Sequence, residues 1–506
     1  MSINHIVRSA QKCCLALAAA LCVSSVAAQQ PADWPIITRD GDQLLENGKP
    51  FRFMGFAAPN IHQNETQLLA DYTNRFPDEY EIRDILSALQ RVGSRATRTF
   101  ALSVYSPEDN GLPVYIQGHR DYNEEAFKAL DRLLAYAPEY DVRIIIPLIA
   151  SQQFPGWRGV DEFAALSGKG AGEFWTDPAV KKDFKHFLDF VTNRVNTVSG
   201  LRYKDDPALL AWQFGNEFTS YWLDRKLPED EWQPKIEAWT VEMAAYLKSI
   251  DNNHLIMEGN GGRREVFIDD PNIDIISEHL YEYWNKWAGK PWQLAPLAEE
   301  VWQQTKGKKP LIIDEFGLGT TENIEALMQT IVDSGMTGGL MWSIRGHRRD
   351  GSWYYHNEGG TFVNSYHYPG FAAGRVYEEQ RTLDLVKKYA YRIRQQPIPA
   401  KLAPSPAPVL FQQLDGFTWR GATGAAYYSI ERASSEQGPW RVIATGLQDS
   451  IVEDVKNFEY TKAASEPLVL FYDVDVEPNQ TLFYRVRGHN IAGASEYSQP
   501  LQVVWK

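Results

Sequence analysis

Cysteine is nearly absent from this chain of 506 residues: it occurs only at positions 13, 14 and 22. These positions lie in a segment with the pattern of a secretory signal peptide, where Arg8 and Lys12 precede an apolar stretch that ends in small residues at Ala28. We therefore expect export, to a bacterial periplasm or to the medium, and a mature chain that starts after about Ala28. That mature chain would have no cysteine, which excludes thiol catalysis, thiolate metal sites and disulfides.

Other absences narrow the class of protein further. After the signal, no apolar run reaches the ~18 residues that a membrane span needs, so we expect none. The His-x-x-x-His and His-Glu-x-x-His spacings of metal-binding helices do not occur, and we predict no metal and no other cofactor. The formal net charge of −14 disfavours nucleic acid and anionic membranes as partners, and it favours an uncharged ligand.

Between residues 51 and 345, short apolar segments alternate with amphipathic segments, which is typical of repeated βα units. Several apolar segments are apolar on both faces, as parallel strands covered by helices are. The predicted strands are Phe51–Phe56, Ala96–Leu102, Val142–Ile149, Leu209–Phe214, His254–Glu258, Ile273–His279, Pro310–Asp314 and Gly339–Ile344. Helices are predicted between them, for example at Glu79–Val92, Asn123–Tyr136, Pro178–Val195 and Glu229–Ile250.

Eight strand-helix units in about 300 residues predict an α/β fold of the (β/α)8, or TIM, barrel type. A doubly wound open sheet is the alternative. It would need a glycine-rich turn after its first strand, where the sequence has Ala57-Ala58-Pro59 instead. Ahead of that strand, Asn47-Gly48 predicts the turn of a small hairpin, which could plug the barrel floor.

The character of the sequence changes after a segment with five prolines at residues 396–408, which predicts a semi-rigid linker. Short strand patterns at sandwich spacing follow, at Phe417–Arg420, Tyr427–Arg432, Trp440–Ala444, Leu468–Val474, Leu482–Arg487 and Leu501–Trp505. Residues 481–493 resemble the penultimate strand and turn of a fibronectin type III domain. We expect a signal at 1–28, the barrel at 29–395 and a small immunoglobulin-like β-sandwich at 409–506 that acts as a spacer or docking element.

Two of the apolar segments end in a glutamate, Glu217 after the fourth predicted strand and Glu315 after the seventh. A carboxylate directly after a buried run is costly to desolvate unless it is hydrogen-bonded, paired or used in function. Because barrel enzymes carry their active site at the C-terminal ends of the strands, both glutamates are expected on that face. Paired carboxylates at such a place indicate glycoside hydrolysis.

The residues around these glutamates resemble glycoside hydrolase family 5, within the clan of retaining barrel glycosidases. The resemblance covers residues 43 to about 395 and looks most like the β-mannan-active branch. The matching residues are Arg98, Asn216, Glu217, His279, Tyr281, Glu315 and Trp342.

The resemblance implies a double displacement, with Glu217 as the acid/base and Glu315 as the nucleophile. It also implies that Arg98 holds the nucleophile charged and that Tyr281 donates a hydrogen bond to it. Asn216, His279 and Trp342 are then substrate-binding residues. Of these, Trp342 would stack on the apolar face of a sugar.

Alternatives remain at several positions. Asp314 adjoins Glu315 but should point to the opposite face of an extended strand, and Glu258 ends another strand and could line the cleft. Glu278 should point towards the helices, and Arg95 is expected as a rim residue. The tryptophans in predicted rim loops could extend the substrate cleft, and core packing is the alternative for them. They are Trp157, Trp284, Trp287 and Trp353.

The function that these patterns favour is cleavage of β-1,4-mannosidic bonds by an exported endo-β-mannanase. An exo-β-mannosidase is an alternative, since the segments Gln152–Glu173 and Gly346–Tyr368 could wall off one end of the cleft. A β-glucan hydrolase of the same clan is another. A barrel that binds glycan without cleaving it is the alternative of a different class, and in every case the expected partner is a β-linked glycan.

Overall fold

The computed structural model describes residues 34–64, 75–218, 229–259, 265–282, 293–354, 356, 365–370, 378–449 and 469–505. The predicted export signal lies outside these ranges, as do Trp284 and Trp287. Within them, no helix combines the length and the apolar character that crossing a membrane requires.

Eight parallel strands of the described chain form a barrel. They are β1 (Phe53–Phe56), β2 (Ala96–Arg98), β3 (Arg143–Ala150), β4 (Leu209–Asn216), β5 (Leu255–Met257), β6 (Ile276–Tyr281), β7 (Leu311–Gly317) and β8 (Gly338–Met341). Strands pair in chain order from β2 to β5 and from β6 through β8 to β1. A bridge between Met257 and Ile275 joins β5 to β6, and the Ala58 amide donates to the Arg98 carbonyl between β1 and β2. The predicted (β/α)8 barrel is thus confirmed.

Helices cover the outside of the barrel. They are α1 (Glu79–Val92), α2 (Glu124–Tyr136), α3 (Val160–Leu166), α4 (Pro178–Asn193), α5 (Glu229–Ile250), α6 (Glu265–Ile268), α7 (Leu294–Thr305), α8 (Thr321–Ser334) and α9 (Glu379–Arg392). Short 3-10 helices lie at Pro107–Asp109, Ala137–Tyr140, Ala171–Phe174 and Tyr203–Asp205. The sequence sets the bounds of α1 directly, because Asp78 and Glu81 form a capping box at its start and Gly93, at φ 85°, ends it.

The floor of the barrel is closed by an antiparallel sheet of Thr38–Asp40, Gln43–Glu46 and Lys49–Pro50. Leu44 of this sheet is buried with the apolar side chains that fill the barrel interior, as the predicted plug requires. Arg95 binds Glu46 (2.9 Å) and Asp141 (2.7 Å) here. Arg95 precedes β2, so it lies at the N-terminal rim of the barrel and makes ion pairs there.

The described residues beyond position 408 contain strands and no helix. They are β9 (Val409–Gln413), β10 (Gly416–Arg420), β11 (Tyr427–Ala433), β12 (Arg441–Leu447), β13 (Thr481–Asn490), β14 (Gly493–Ala494) and β15 (Leu501–Val504). β9 pairs with β10, and β11 to β15 form a second antiparallel sheet. The described part of the strand predicted at Leu468–Val474 holds only a bridge between Phe471 and Phe417. Trp419, Tyr484 and Trp505 belong to the core of this part.

Short strands at Ile344–Arg345 and Tyr366–His367 pair in parallel beyond the end of β8, and a hairpin of Ile116–Gly118 and Asp121–Tyr122 lies before α2. The proline-rich segment does not stand free of the barrel. Arg91 of α1 donates to the carbonyls of Leu402 (3.2 Å) and Ala403 (3.0 Å). Tyr80 of α1 donates to the carbonyl of Gly421 beyond β10 (2.9 Å).

Candidate active site

Glu217 and Glu315 lie together at the C-terminal face of the barrel. Glu217 directly follows β4, and Glu315 lies near the C-terminal end of β7. The two residues are buried, with 7% and 3% of their surface exposed. One oxygen of each carboxylate and a ring nitrogen of His279 lie within 4.8 Å of one another. Retaining glycosidases hold their two carboxyl groups ~5–5.5 Å apart, whereas inverting enzymes need ~6.5–9.5 Å for a water molecule. The observed spacing fits direct attack by one carboxylate on the sugar.

Arg98 is fully buried at the end of β2 and points its guanidinium at Glu315. Nη1 donates to Glu315 Oε1 (2.6 Å), Nη2 to Asn216 Oδ1 (2.6 Å) and Nε to Gln213 Oε1 (2.6 Å). Because Gln213 and Asn216 both belong to β4, two strands fix the orientation of the planar guanidinium. A buried cation so placed stabilises the ionised form of Glu315.

Tyr281, at the end of β6, donates its hydroxyl to Glu315 Oε2, so both oxygens of this carboxylate accept a hydrogen bond. Burial raises the pKa of Glu315 to about 7, while the charges of His279 and Arg98 act against that rise. These contacts compensate part of the cost of burying an anion.

His279 lies among three carboxyl groups. Its Nδ1 is 2.8 Å from Glu217 Oε1 and 3.4 Å from Glu315 Oε2, and its Nε2 is 3.5 Å from Asp314 Oδ1. Burial alone would lower the pKa of His279, but the charges of Glu315 and Asp314 outweigh burial and raise it to about 10. Both ring nitrogens of His279 thus face carboxylates, which favours its charged form.

Asp314 faces the same site as Glu315, which corrects the prediction that it points to the opposite face. Gln213 Nε2 donates to Asp314 Oδ2 (2.7 Å), and Arg98 Nε lies 3.3 Å from the same oxygen. The cause is a bulge in β7: against β6, Ile313 pairs with Glu278 but the next pair is Glu315 with His279. The extra residue breaks the alternation of side chains.

Glu258 is also buried, and it accepts hydrogen bonds from groups beside β5 and in β6. The amides of Gly259 and Ser277 and the Ser277 hydroxyl each lie 3.0 Å from its carboxylate. Burial raises its pKa to about 7. These hydrogen bonds connect the end of β5 to β6, so Glu258 has a structural role there.

Sequence reasoning missed two glutamines of the site, Gln213 and Gln152. Gln213 was detectable as the polar side chain in the middle of an apolar strand. Gln152, just beyond β3, is 2% exposed, and its Nε2 donates to Glu217 Oε2 (2.8 Å). Its Oε1 has no hydrogen-bond partner among the described residues. The carboxamide of Gln152 thus positions the Glu217 side chain through its N–H group.

We expect Gln152→Leu to lower kcat/KM about tenfold or more, because removing this donor from a buried carboxyl group costs ~1–3 kcal/mol. The measurement is kcat/KM against pH on an aryl β-glycoside with a poor leaving group. Gln303→Leu, on the exposed side of α7, is the matched control and should leave the profile unchanged. An unaltered kcat/KM for Gln152→Leu would show that this hydrogen bond does not position Glu217 for catalysis.

The backbone also positions Glu217. Its φ of 52° is left-handed, which is uncommon for a residue other than glycine. Its carbonyl accepts a hydrogen bond from the Ser151 hydroxyl (2.7 Å), and the next amide, of Phe218, donates to the Gly259 carbonyl (3.0 Å). A Cβ at Gly259 would come within 2.3 Å of the Gly215 carbonyl oxygen, so this close approach requires glycine.

Trp342 directly follows β8 and is 8% exposed, with its ring centroid 6.1 Å from that of Phe100. It shares an interior cluster with Tyr281. Trp157 packs edge-on against Phe100 at 5.1 Å, and Trp353 stacks on His347 at 3.5 Å. Both of these rim-loop tryptophans are only 3% exposed, so core packing, the alternative stated for them, describes both.

Comparison with known proteins agrees with this geometry. A family model described as GH family 5 beta-mannosidase-like matches residues 35–397. Mannan endo-1,4-beta-mannosidase 7 of Oryza sativa subsp. japonica is 26% identical over 362 residues, which are 62% of this chain and 89% of that protein. Mannan endo-1,4-beta-mannosidase 1 of Solanum lycopersicum is 27% identical over 350 residues, 60% of this chain and 81% of that protein.

Solved structures share the fold. The endo-1,4-beta-mannanase of Rhizomucor miehei superposes with a TM-score of 0.54 at 21% identity, over 71% of this chain and 100% of that one. The endo-beta-1,4-mannanase of Thermotoga petrophila gives 0.53 at 17% identity, over 91% of this chain and 99% of that one. The family model spans most of the chain and the whole barrel, and the chain therefore belongs to the β-mannosidase-like members of glycoside hydrolase family 5 and is a glycoside hydrolase.

Proposed function

We propose that this protein is a retaining endo-β-mannanase that cleaves β-1,4-mannosidic bonds within mannans, with Glu217 as acid/base and Glu315 as nucleophile. The observation that carries the proposal is the buried carboxylate pair within 4.8 Å at the ends of β4 and β7. The relatives named as mannan endo-1,4-beta-mannosidases support the substrate.

The contacts of the two carboxylates support these roles. Arg98 and Tyr281 both donate to Glu315, which favours an anion that can attack the anomeric carbon. Glu217 is instead held by the neutral carboxamide of Gln152 and by His279. The cations Arg98 and His279 face three carboxyl groups in all, so the charges balance when one carboxyl is protonated. Because the guanidinium donates to Glu315, we assign the negative charge of the nucleophile to that carboxyl.

The reaction then runs in two displacements. Glu315 forms a bond to the anomeric carbon while the bond to the leaving oxygen breaks, and Glu217 gives its proton to that oxygen. In the second displacement Glu217 takes a proton from water as the water oxygen attacks the anomeric carbon, and the bond to Glu315 breaks. Both displacements invert the anomeric carbon, so the product retains the β configuration.

The remaining site residues are proposed to bind the sugar. Trp342 would offer its ring face to the apolar side of the mannose unit that reacts. Asn216 is held by Arg98 beside the nucleophile, where it can reach a sugar hydroxyl, and His279 lines the same space between the two glutamates.

We also propose the domain organisation given by the sequence: an export signal at 1–28, the catalytic barrel at 29–395, a linker at 396–408 and a fibronectin type III-like sandwich at 409–506. Two antiparallel sheets around an aromatic core support the sandwich. The signal rests on its sequence pattern alone.

The test is the product profile on linear β-1,4-mannan and mannohexaose, with cellohexaose and xylohexaose alongside and the Glu315→Ala variant as a blank. We expect a mixture of short manno-oligosaccharides, with the β anomer formed first in NMR spectra. Mannose as the sole product would replace the endo assignment by an exo-mannosidase. Turnover of glucan or xylan alone would replace the substrate, and binding without turnover would indicate a glycan-binding protein.

A further inference from the structure

A buried histidine outside the active site joins the barrel to the C-terminal strands. His347 lies in the segment that follows β8, and its two ring nitrogens face carboxylates from opposite directions. Nδ1 is 3.0 Å from Asp84 Oδ1 of α1, and Nε2 is 3.0 Å from Asp449 Oδ2, just beyond β12. The three residues are 1–5% exposed. No step of the glycosidase mechanism uses them.

Both carboxylates also accept further hydrogen bonds. Asp84 Oδ2 accepts the backbone amide of His347 (2.7 Å), and Asp84 Oδ1 accepts the hydroxyl of Thr423 from the C-terminal part. Asp449 Oδ1 accepts the indole N–H of Trp353 (3.0 Å), whose ring stacks on His347. We call these five residues, Asp84, His347, Trp353, Thr423 and Asp449, the His347 clamp.

The clamp places the ring of His347 between two carboxylates, one from each part of the chain. Burial alone would lower the pKa of His347, but the charge of Asp84 and the hydrogen bond with Asp449 raise it to about 9. Burial acts to raise the pKa of both aspartates, and the contacts with His347 lower it instead. The histidine is thus a buried cation between two buried anions, a set that is stable when complete and costly when one member is removed.

The segment held by the clamp begins at the active site. His347 is five residues from Trp342, and the chain between them is fixed on both sides. The Ile344 amide donates to the Ala57 carbonyl of the β1 end (2.9 Å), and the Tyr366 amide donates to the Ser343 carbonyl (2.8 Å). His347 and Trp342 are thus the two ends of one short, hydrogen-bonded stretch of backbone.

We propose that Asp449 is a positioning residue of the hydrolase: through His347 and Trp353 it fixes the segment after β8 and hence the Trp342 side of the substrate cleft. The C-terminal strands are then part of the catalytic unit and not only a spacer. This inference rests on the proposed role of Trp342, and it does not depend on which β-glycan is the substrate.

A double-mutant cycle on the full-length chain tests the proposal, using the best β-glycan oligomer found in the product profile. We expect Asp449→Ala to lower kcat/KM about 5- to 20-fold and Asp449→Asn, which keeps an acceptor for Trp353, to lower it less. In a Trp342→Ala background the same Asp449→Ala change should cost less than twofold, because its effect acts through that tryptophan.

Asp473→Ala is the matched control. Asp473 is another buried aspartate of the C-terminal part, and it pairs with Arg432 (2.7 Å) and Tyr484 (2.9 Å), which both belong to that same part. It should lower thermal stability while leaving kcat/KM unchanged well below the transition. Equal kcat/KM for Asp449→Ala and wild type, or an undiminished effect in the Trp342→Ala background, would overturn the proposal.

If Asp449→Ala does not fold, Trp353→Phe replaces it in the cycle, because that change keeps the ring on His347 but removes the N–H that Asp449 accepts. The expected loss is then about two- to fivefold, again abolished by Trp342→Ala. Each result is the kcat/KM of a variant divided by that of its parent, measured on a substrate that the protein cleaves. The test therefore stands even if that substrate is not a mannan.

Discussion

Replacing Glu315 by alanine is expected to lower kcat by about 10⁵-fold or more, since no other group can form the bond to the anomeric carbon from that position. Circular dichroism should show an unchanged fold. Azide, a small anion that fits the space of the missing carboxylate, should restore turnover of an activated aryl β-mannoside and give the α-mannosyl azide by a single inversion. Near-normal activity of the variant would rule out Glu315 as the nucleophile.

Asp314 provides a demanding comparison, because it is the adjacent residue, is equally buried and shares Arg98 and His279 with Glu315. We expect Asp314→Asn to retain the ability to form the glycosyl-enzyme, although with reduced rate. A 2-deoxy-2-fluoro-β-mannosyl fluoride should therefore label both the parent and Asp314→Asn, and peptide mass spectrometry should locate the label on Glu315. A label on Asp314 would reverse the assignment within the bulge of β7.

The sequence was a good guide wherever a repeating pattern decides the structure. Strand and helix periods predicted the barrel, and the helix Glu79–Val92 has the predicted bounds because its capping box and its terminal glycine are local signals. Glu217 and Glu315 could be found because a charge that ends an apolar strand is conspicuous, and parallel strands bring such ends to one face.

The pattern failed where one residue departs from it. Strict alternation along β7 placed Asp314 opposite Glu315, but the bulge between Ile313 and Phe316 turns both carboxylates to the interior. No residue of the apolar run in β7 predicts the bulge. What the structure adds is one hydrogen-bond donor, Gln213, and two nearby cations, Arg98 and His279, which together stabilise the additional buried anion.

Contacts between distant parts of the chain could not be predicted, because a sequence pattern describes only neighbouring residues. The His347 clamp joins residues 84, 347 and 449, which no local pattern relates. The proline-rich segment predicted a semi-rigid linker, and the structure adds that two of its carbonyls accept hydrogen bonds from Arg91 of α1. Composition indicates how stiff a segment is, whereas its packing depends on the surface that it meets.

Replacing Glu217 by alanine should slow the cleavage of substrates with poor leaving groups much more than that of substrates with good leaving groups. For mannan, whose leaving oxygen needs a proton, we expect kcat/KM to fall about 10³-fold or more. For 2,4-dinitrophenyl β-mannoside, whose leaving group departs without a proton, the first displacement should change by less than about tenfold, and the glycosyl-enzyme should accumulate because the second displacement lacks its base.

Azide distinguishes the two glutamates by the anomer it forms. In Glu217→Ala it should attack the glycosyl-enzyme on Glu315 and give the β-mannosyl azide by two inversions, whereas Glu315→Ala should give the α anomer. The two variants thus carry opposite stereochemical signatures from carboxylates that lie within 4.8 Å of one another. An α product from Glu217→Ala, or an equal loss on both leaving groups, would exchange the roles of acid/base and nucleophile and with them the function assigned to Arg98, since the guanidinium would then stabilise the carboxyl that must carry the proton.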